Sequence, residues 1–180
     1  MLTGRVHDKI YLKMTNLPIS DYAVIGDSRS AALIAADGSI EWLCWPRFDS
    51  QSFLNRLLDR ERGGHFTISP AGECSVRRAY TPSTAVLVTD FHTGTGKVRV
   101  TDLMPVLSEA QKRDRSLPLR SILRIVEGLE GTVPLDIQFK PRPLDGSLTP
   151  TFHVRGQSGY YSDFGGRLLH LATDAPLHIR

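Results

Sequence analysis

The chain has 180 residues, 41% of them hydrophobic and 23% charged, with a formal net charge of +3. This size and balance predict one soluble globular domain with a core of its own. No apolar run approaches the roughly 20 residues of a membrane helix, and no basic stripe interleaved with aromatics marks a nucleic-acid partner.

Residues 1–17 mix Arg5, Asp8, Lys9 and Lys13 with isolated Ile and Leu. They lack the continuous apolar stretch of a signal peptide, so export by that route is not expected and the cytoplasm is. Arg5, Lys9 and Lys13 against Asp8 carry most of the charge excess. Beyond residue 13, 19 basic residues face 18 acidic ones. Residues 1–17 are expected as a flexible extension, with Met14 an alternative start, and residues 18–180 as a single domain.

Next comes Pro18-Ile-Ser-Asp-Tyr-Ala-Val-Ile-Gly-Asp27. The even spacing of Asp21 and Asp27 would put both on one face of a strand, but Gly26 is expected to break it. Asp27 before Ser28 and Arg29 reads as a turn former. Two β-type runs, 31–36 and 39–44, flank Asp37-Gly38, a hairpin signal for a type I′ turn with positive φ at both central residues. The second run carries Trp42, expected in the core; Trp45 follows, and the chain has no other tryptophan. Pro46 cannot continue a central ladder, so Arg47, Phe48 and Asp49 pass into a loop. Ser50 is placed to cap a helix with Phe53, Leu54, Leu57 and Leu58 on one face, stopped by Gly63-Gly64.

Further along, 66–69 and 74–80 read as strands, then 86–92 and 98–103 as a hairpin across Thr93-Gly-Thr-Gly96. The charged segment 108–117 between Pro105 and Pro118 reads as a solvated loop. Runs 119–127 and 133–140 are expected to pair across Gly128-Leu-Glu-Gly131; Leu135, Ile137 and Phe139 alternate with polar residues as in a half-buried strand. Short runs at 151–155, 159–162 and 168–172 follow, with 177–180 as a possible fourth. Many short strands with Gly/Pro turns and one short helix predict an all-β antiparallel sandwich.

Chemistry-bearing motifs are missing. The histidines His7, His65, His92, His153, His170 and His178 form no metal-ligand pattern, and no nucleophile elbow or phosphate loop occurs. Neither metal nor cofactor is expected, and no catalytic residue is assigned. Cys44 and Cys74 lack metal-type spacing, and Cys44 reads as a buried free thiol.

The block 18–66 also carries a resemblance. Pro-Ile-x-Asp-Tyr-x-x-Ile-Gly-Asp, Asp-Gly-Ser-Ile-x-Trp-Leu-Cys-x-Pro-Arg-Phe-Asp-Ser and Gly-Gly-x-Phe are similar to the N-terminal domain of bacterial glycoside hydrolase family 15 proteins, the trehalase-like and glucoamylase-like group. Asp102-Leu-Met-Pro105, Arg124-Ile-Val-Glu-Gly128, Gly131 and Pro141-Arg142 extend it, to about residue 174. It weakens where such proteins read Phe-Asp-Tyr-Gly and this chain has Pro143-Leu-Asp-Gly146. The resemblance implies a supersandwich-like accessory domain whose catalytic carboxylates lie on a separate helical toroid of the same polypeptide. It implies hydrolysis of α-glucosidic bonds, in trehalose or maltooligosaccharides, with inversion. Nothing in these 180 residues could form that toroid.

Trp45, Arg47, Phe48 and Asp49 are therefore the candidates for a domain interface or a substrate contact. An aromatic loop past a strand end needs a partner. That partner is either the toroid, near the mouth of its active site, or sugar, whose C–H faces stack on aromatics. Arg47 and Asp49 alone would read as a loop ion pair. The alternative function is a stand-alone carbohydrate-binding sandwich. The run 177–180 reads as an unfinished edge of a truncated domain, so self-association through an edge or a bare face is also expected.

Overall fold

The computed structural model describes residues 9–10, 17–106, 108–114, 120–154, 156, 159–175 and 177. Within these the chain is an antiparallel β-sandwich, as the turn-punctuated pattern predicts. One sheet has the order β1 (Lys9–Ile10), β7 (Ser75–Tyr80), β8 (Leu87–Thr93), β9 (Gly96–Leu103), β10 (Leu123–Gly131). The other runs β11 (Leu135–Lys140), β6 (His65–Pro70), β4 (Ser39–Cys44), β3 (Ala31–Ile34), β2 (Ala23–Gly26), with β5 (Ser52–Leu54) also on β4. A three-stranded sheet of β12 (His153–Val154), β13 (Tyr160–Phe164) and β14 (Arg167–Leu171) is separate. Apart from Lys9–Ile10 and Leu17, the expected 1–17 extension lies outside the described residues. So does the run 177–180, except for Leu177, whose carbonyl accepts the Tyr160 hydroxyl.

Alternation fixes the inner faces. Leu87, Thr89 and Phe91 of β8 and Val98, Val100 and Asp102 of β9 point inward and are buried. Opposite them lie Ile25, Ala32, Ile34, Ile40, Leu43 and Ile68. Each fully buried large aliphatic or aromatic side chain contributes roughly 1.5–3 kcal/mol.

The inward Asp102 is an exception that the fold resolves with Arg124, its partner in register on β10. Arg124 Nε lies 2.8 Å from Asp102 Oδ1, and the two side chains are 2% and 1% exposed. The remaining guanidinium nitrogens donate to carbonyls of the other sheet, Nη1 to Phe66 and Nη2 to Gly38, both at 2.6 Å. The cation also sits 4.7 Å from the Phe66 ring centroid. Arg124 thus joins the sheets, and each of its guanidinium nitrogens has an acceptor in a low-dielectric interior.

Five expectations fail, each for a physical reason. No helix follows Ser50. Ser52, Phe53 and Leu54 are all buried as a short strand on β4, and Leu58 is left 75% exposed. Asn55 then diverts the backbone, taking the Gly64 N–H at 2.8 Å, so a single turn forms instead. Gly64 allows close approach, because a Cβ there would lie 2.5 Å from the Arg142 nitrogen. The helix lies instead at α1 (Glu109–Asp114), where a solvated loop was predicted. The Ser108 hydroxyl accepts the Gln111 N–H at 3.2 Å and the Gln111 side-chain oxygen accepts the Ser108 N–H at 3.0 Å, a capping box.

Strands β10 and β11 do not pair with each other. β10 continues through Gly128 as a bulged edge strand on β9, and β11 crosses to β6. The Asp37-Gly38 hairpin exists, but only Gly38 has positive φ, +84°, and the Gly38 N–H bonds Ala35. This is a three-residue loop ending in a left-handed glycine rather than a type I′ turn.

Trp42 is not a core residue. A bulge in β4, where Leu33 pairs with Trp42 and Ile34 with Ile40, leaves Glu41 as the extra residue, so Ile40 and Leu43 both point inward while Glu41 and Trp42 turn outward. Trp42 is half-buried there. Cys44 and Cys74 are free and half-buried.

Candidate functional site

At one end of the six-stranded sheet, the β2–β3 turn and the segment after β4 come together. Asp27 forms the turn as its sequence suggested: its carboxylate accepts the N–H groups of Arg29 and Ser30 at 2.9 and 2.8 Å. Ser28 takes a left-handed φ of +69°. The buried Ser30 hydroxyl donates to the Cys44 carbonyl, and the Phe48 N–H donates to the Arg29 carbonyl at 2.9 Å. Ser50 closes the 47–50 loop by accepting the Arg47 N–H and donating its own N–H to Arg47, both at 3.1 Å.

Of the four candidate side chains, the fold turns one inward and three outward. Trp45, joined to Pro46 by a cis bond, packs edge-on against buried Phe53 with centroids 5.7 Å apart. Phe53 in turn stacks on Phe164. Trp45 therefore anchors the loop. Phe48 is 61% exposed. Arg47 and Asp49 form a 2.8 Å ion pair in the open. Arg47, Phe48 and Asp49, with Ser28, Arg29 and Arg120, line an open depression of about 540 Å³.

Ser28, Arg29 and Arg120 had no signal of their own, because they arrive from loops distant in sequence. The Pro143–Gly146 stretch, where the resemblance fades, docks against β5. Asp145 accepts both the N–H and the hydroxyl of Ser52, at 2.7 and 2.8 Å. Those two bonds hold its carboxyl below the ordinary range. Burial, and secondarily the charge of Asp145, push the Cys44 thiol up, so this thiol is poorly nucleophilic.

The site offers an aromatic ring, guanidinium groups and one paired carboxylate, which suits binding. Of its carboxylates, Asp27 is committed to backbone N–H groups and Asp49 to Arg47. Among the described residues, no three His, Cys, Asp or Glu side chains could hold a metal.

A second polar cluster escaped the sequence reading. Glu41, with no exposure, lies on the outer side of β4. It accepts the Tyr22 hydroxyl at 2.5 Å and pairs with Arg60 at 3.3 Å and Arg56 at 3.7 Å. Burial, followed by the hydrogen bond to Glu41, raises the Tyr22 phenol well above its usual value. The available signal was an acid inside an apolar run with two arginines four residues apart downstream.

Residues 10–157 match the family described as trehalase-like, N-terminal. The trehalase of Thermoplasma volcanium is 31% identical over 163 residues, which is 88% of this chain and 25% of that protein. The Mycolicibacterium smegmatis trehalase is 34% identical over 135 residues, covering 69% of this chain and 20% of its own length. Trehalase 1 of Sulfolobus acidocaldarius is 40% identical over 87 residues, 48% of this chain and 15% of its length. The chain thus spans a quarter or less of the curated relatives it matches. No solved structure matches it. Among the described residues, no helix is long and apolar enough to cross a membrane. The match runs from before the first hairpin to beyond β12, taking in both sandwich sheets, and the chain belongs to the trehalase-like N-terminal family.

Proposed function

We infer that the chain is the non-catalytic N-terminal domain of a trehalase-type glycoside hydrolase that cleaves α-glucosidic bonds. It packs on a separate helical catalytic domain, with Arg47, Phe48 and Asp49 at the mouth of the active site and Trp45 holding their loop in place. The observation that carries this reading is the family match over 10–157, beside matches to proteins named trehalase of which this chain covers a quarter or less. An inverting hydrolase needs one carboxylic acid and one carboxylate base on opposite sides of the bond. The committed carboxylates of the depression fit neither role.

The test is glucose release. The 180-residue chain alone is expected to leave trehalose, maltose and starch at background, because general acid or base help is worth about 10²–10⁴-fold and both groups lie elsewhere. In a trehalase-length protein carrying this domain, Arg47→Ala is expected to impair activity while the fold is kept. A rise confined to KM would mean lost substrate binding, and a fall in kcat a misplaced substrate. Turnover by the chain alone, abolished by one substitution in it, would overturn the reading.

The exposed Phe48 beside the Arg47–Asp49 pair favours a second reading, a stand-alone carbohydrate-binding module. Calorimetric titration of the isolated chain with trehalose and maltooligosaccharides separates the two, since binding that needs no second domain supports only the module.

A further inference from the structure

The two sandwich sheets turn unlike central rows outward. Across β7, β8, β9 and β10, register puts Arg77, Asp90, Arg99 and Glu127 in one outward row of alternating charge. Such a row belongs in water, although the β10 margin of the same face also exposes Leu123, Ile125 and Leu129. Across β2, β3 and β4 the outward row is Val24, Leu33 and Trp42. Val24 is 47% exposed, and Leu33 and Trp42 are partly exposed. The acid beside Trp42, Glu41, is withdrawn from solvent by Tyr22, Arg60 and Arg56.

The edge of this sheet is closed at the same point. The Val24 N–H donates to the Tyr80 hydroxyl, which donates to the Val24 carbonyl, both at 2.8 Å. An added strand would have to break both bonds, so at the β2 side a partner meets the face rather than the edge. Three quarters of the Thermoplasma volcanium trehalase has no counterpart in this chain, since the match covers 25% of that protein. Trp42 also sits on the strand that runs directly into the 45–49 loop. A body resting on this face therefore meets that loop at its end.

We propose that the Val24–Leu33–Trp42 face is the seat of this domain against the remainder of a trehalase-length polypeptide. This rests on the accessory-domain reading and adds to it the surface that makes the contact.

The chain is mixed with the separately produced part of the Thermoplasma volcanium trehalase that follows its matched region, and binding is followed by sedimentation. The unaltered chain is expected to bind. Val24→Lys, at a position already open to solvent, is expected to weaken binding at least tenfold, and Trp42→Ala to do likewise. Ile125→Lys, outward on the other sheet, is expected to change it less than twofold. Circular dichroism and melting of each variant alone establish that it is folded, and only folded variants are compared.

If the unaltered chain binds and both face variants bind equally well, the face proposal falls and the accessory-domain reading stands. Equal loss in Ile125→Lys overturns it too. If the unaltered chain does not bind, both fall. If the chain dimerises, and the face variants abolish the dimer without touching the heterologous complex, the face belongs to a second copy and the proposal is wrong.

Discussion

The five-stranded sheet carries two arginine–carboxylate pairs of nearly equal geometry, one on each face. Asp102 and Arg124 meet at 2.8 Å inside, with side chains 1% and 2% exposed. Asp90 and Arg99 meet at 2.7 Å outside, at 21% and 38%. Contact distance does not distinguish them, but surroundings do. The inner guanidinium spends its other donors on carbonyls of the opposite sheet, so it fixes how the sheets sit. The outer one is bathed in water and joins only neighbouring strands. Burial thus turns the same chemical pair from a local contact into a condition for the fold.

Removing the inner arginine gives the largest effect. Arg124→Ala leaves a buried carboxylate unpaired and two inter-sheet carbonyls without their donor, a cost of about 3–5 kcal/mol. Thermal unfolding is expected to drop by on the order of 10 °C for a chain of this size. A loss no larger than that of an outer-face variant would erase the distinction between the pairs.

Gly38→Val tests the same junction from the other sheet. The Gly38 carbonyl accepts from Arg124, its φ is +84°, and a Cβ would come within 2.3 Å of the Ile68 oxygen. A β-branched residue at that φ costs on the order of 1–2 kcal/mol from the backbone alone, and displacement of Ile68 adds to it. Chemical denaturation should show a lower midpoint. An unchanged midpoint would mean that the turn relaxes freely.

The outer pair should matter least. Arg99→Ala is expected to cost under about 1 kcal/mol, because both groups are partly screened by solvent. The hydrogen bond from Arg99, then its charge, holds the Asp90 carboxyl below its usual range. A depressed carboxylate contributes stability above its unfolded value near 3.9 and loses it as pH falls through the folded value. The difference between Arg99→Ala and the parent should therefore be present at pH 7 and shrink toward zero below about pH 4. A difference that persists in acid would implicate packing of the arginine stem instead.

What could be read in advance followed local chemistry. The β8–β9 hairpin shows in its Gly-Thr-Gly turn and its alternation, and Pro46 announces that Arg47, Phe48 and Asp49 leave the ladder. Failures came where a local pattern had two solutions. Phe53, Leu54, Leu57 and Leu58 have helical spacing, yet burying Ser52–Leu54 on β4 serves the core better. Gly128 and Gly131 resemble a turn, yet the first lies at a bulge and the second at the crossing between sheets. The capping box of Ser108 and Gln111 was visible but lay among charges with no apolar stripe to give it weight. The depression beyond the 45–49 loop could not be read at all, since Ser28, Arg29 and Arg120 meet that loop only after both sheets exist.

The crossing from β10 to β11 has a consequence for how the chain emerges during synthesis. β7, β8, β9 and β10 pair with successive neighbours, so each finds its partner as soon as it is made. β6 must wait: its partner β11 begins at Leu135, which pairs with Pro70, 65 positions earlier. Until then β6 shows a bare edge, while Arg124 already points two donors toward carbonyls at the β4–β6 junction. The last strand of the sandwich to emerge thus closes one made before the whole β7–β10 meander, and a chain that has emerged only as far as residue 134 is a finished meander beside an open sheet.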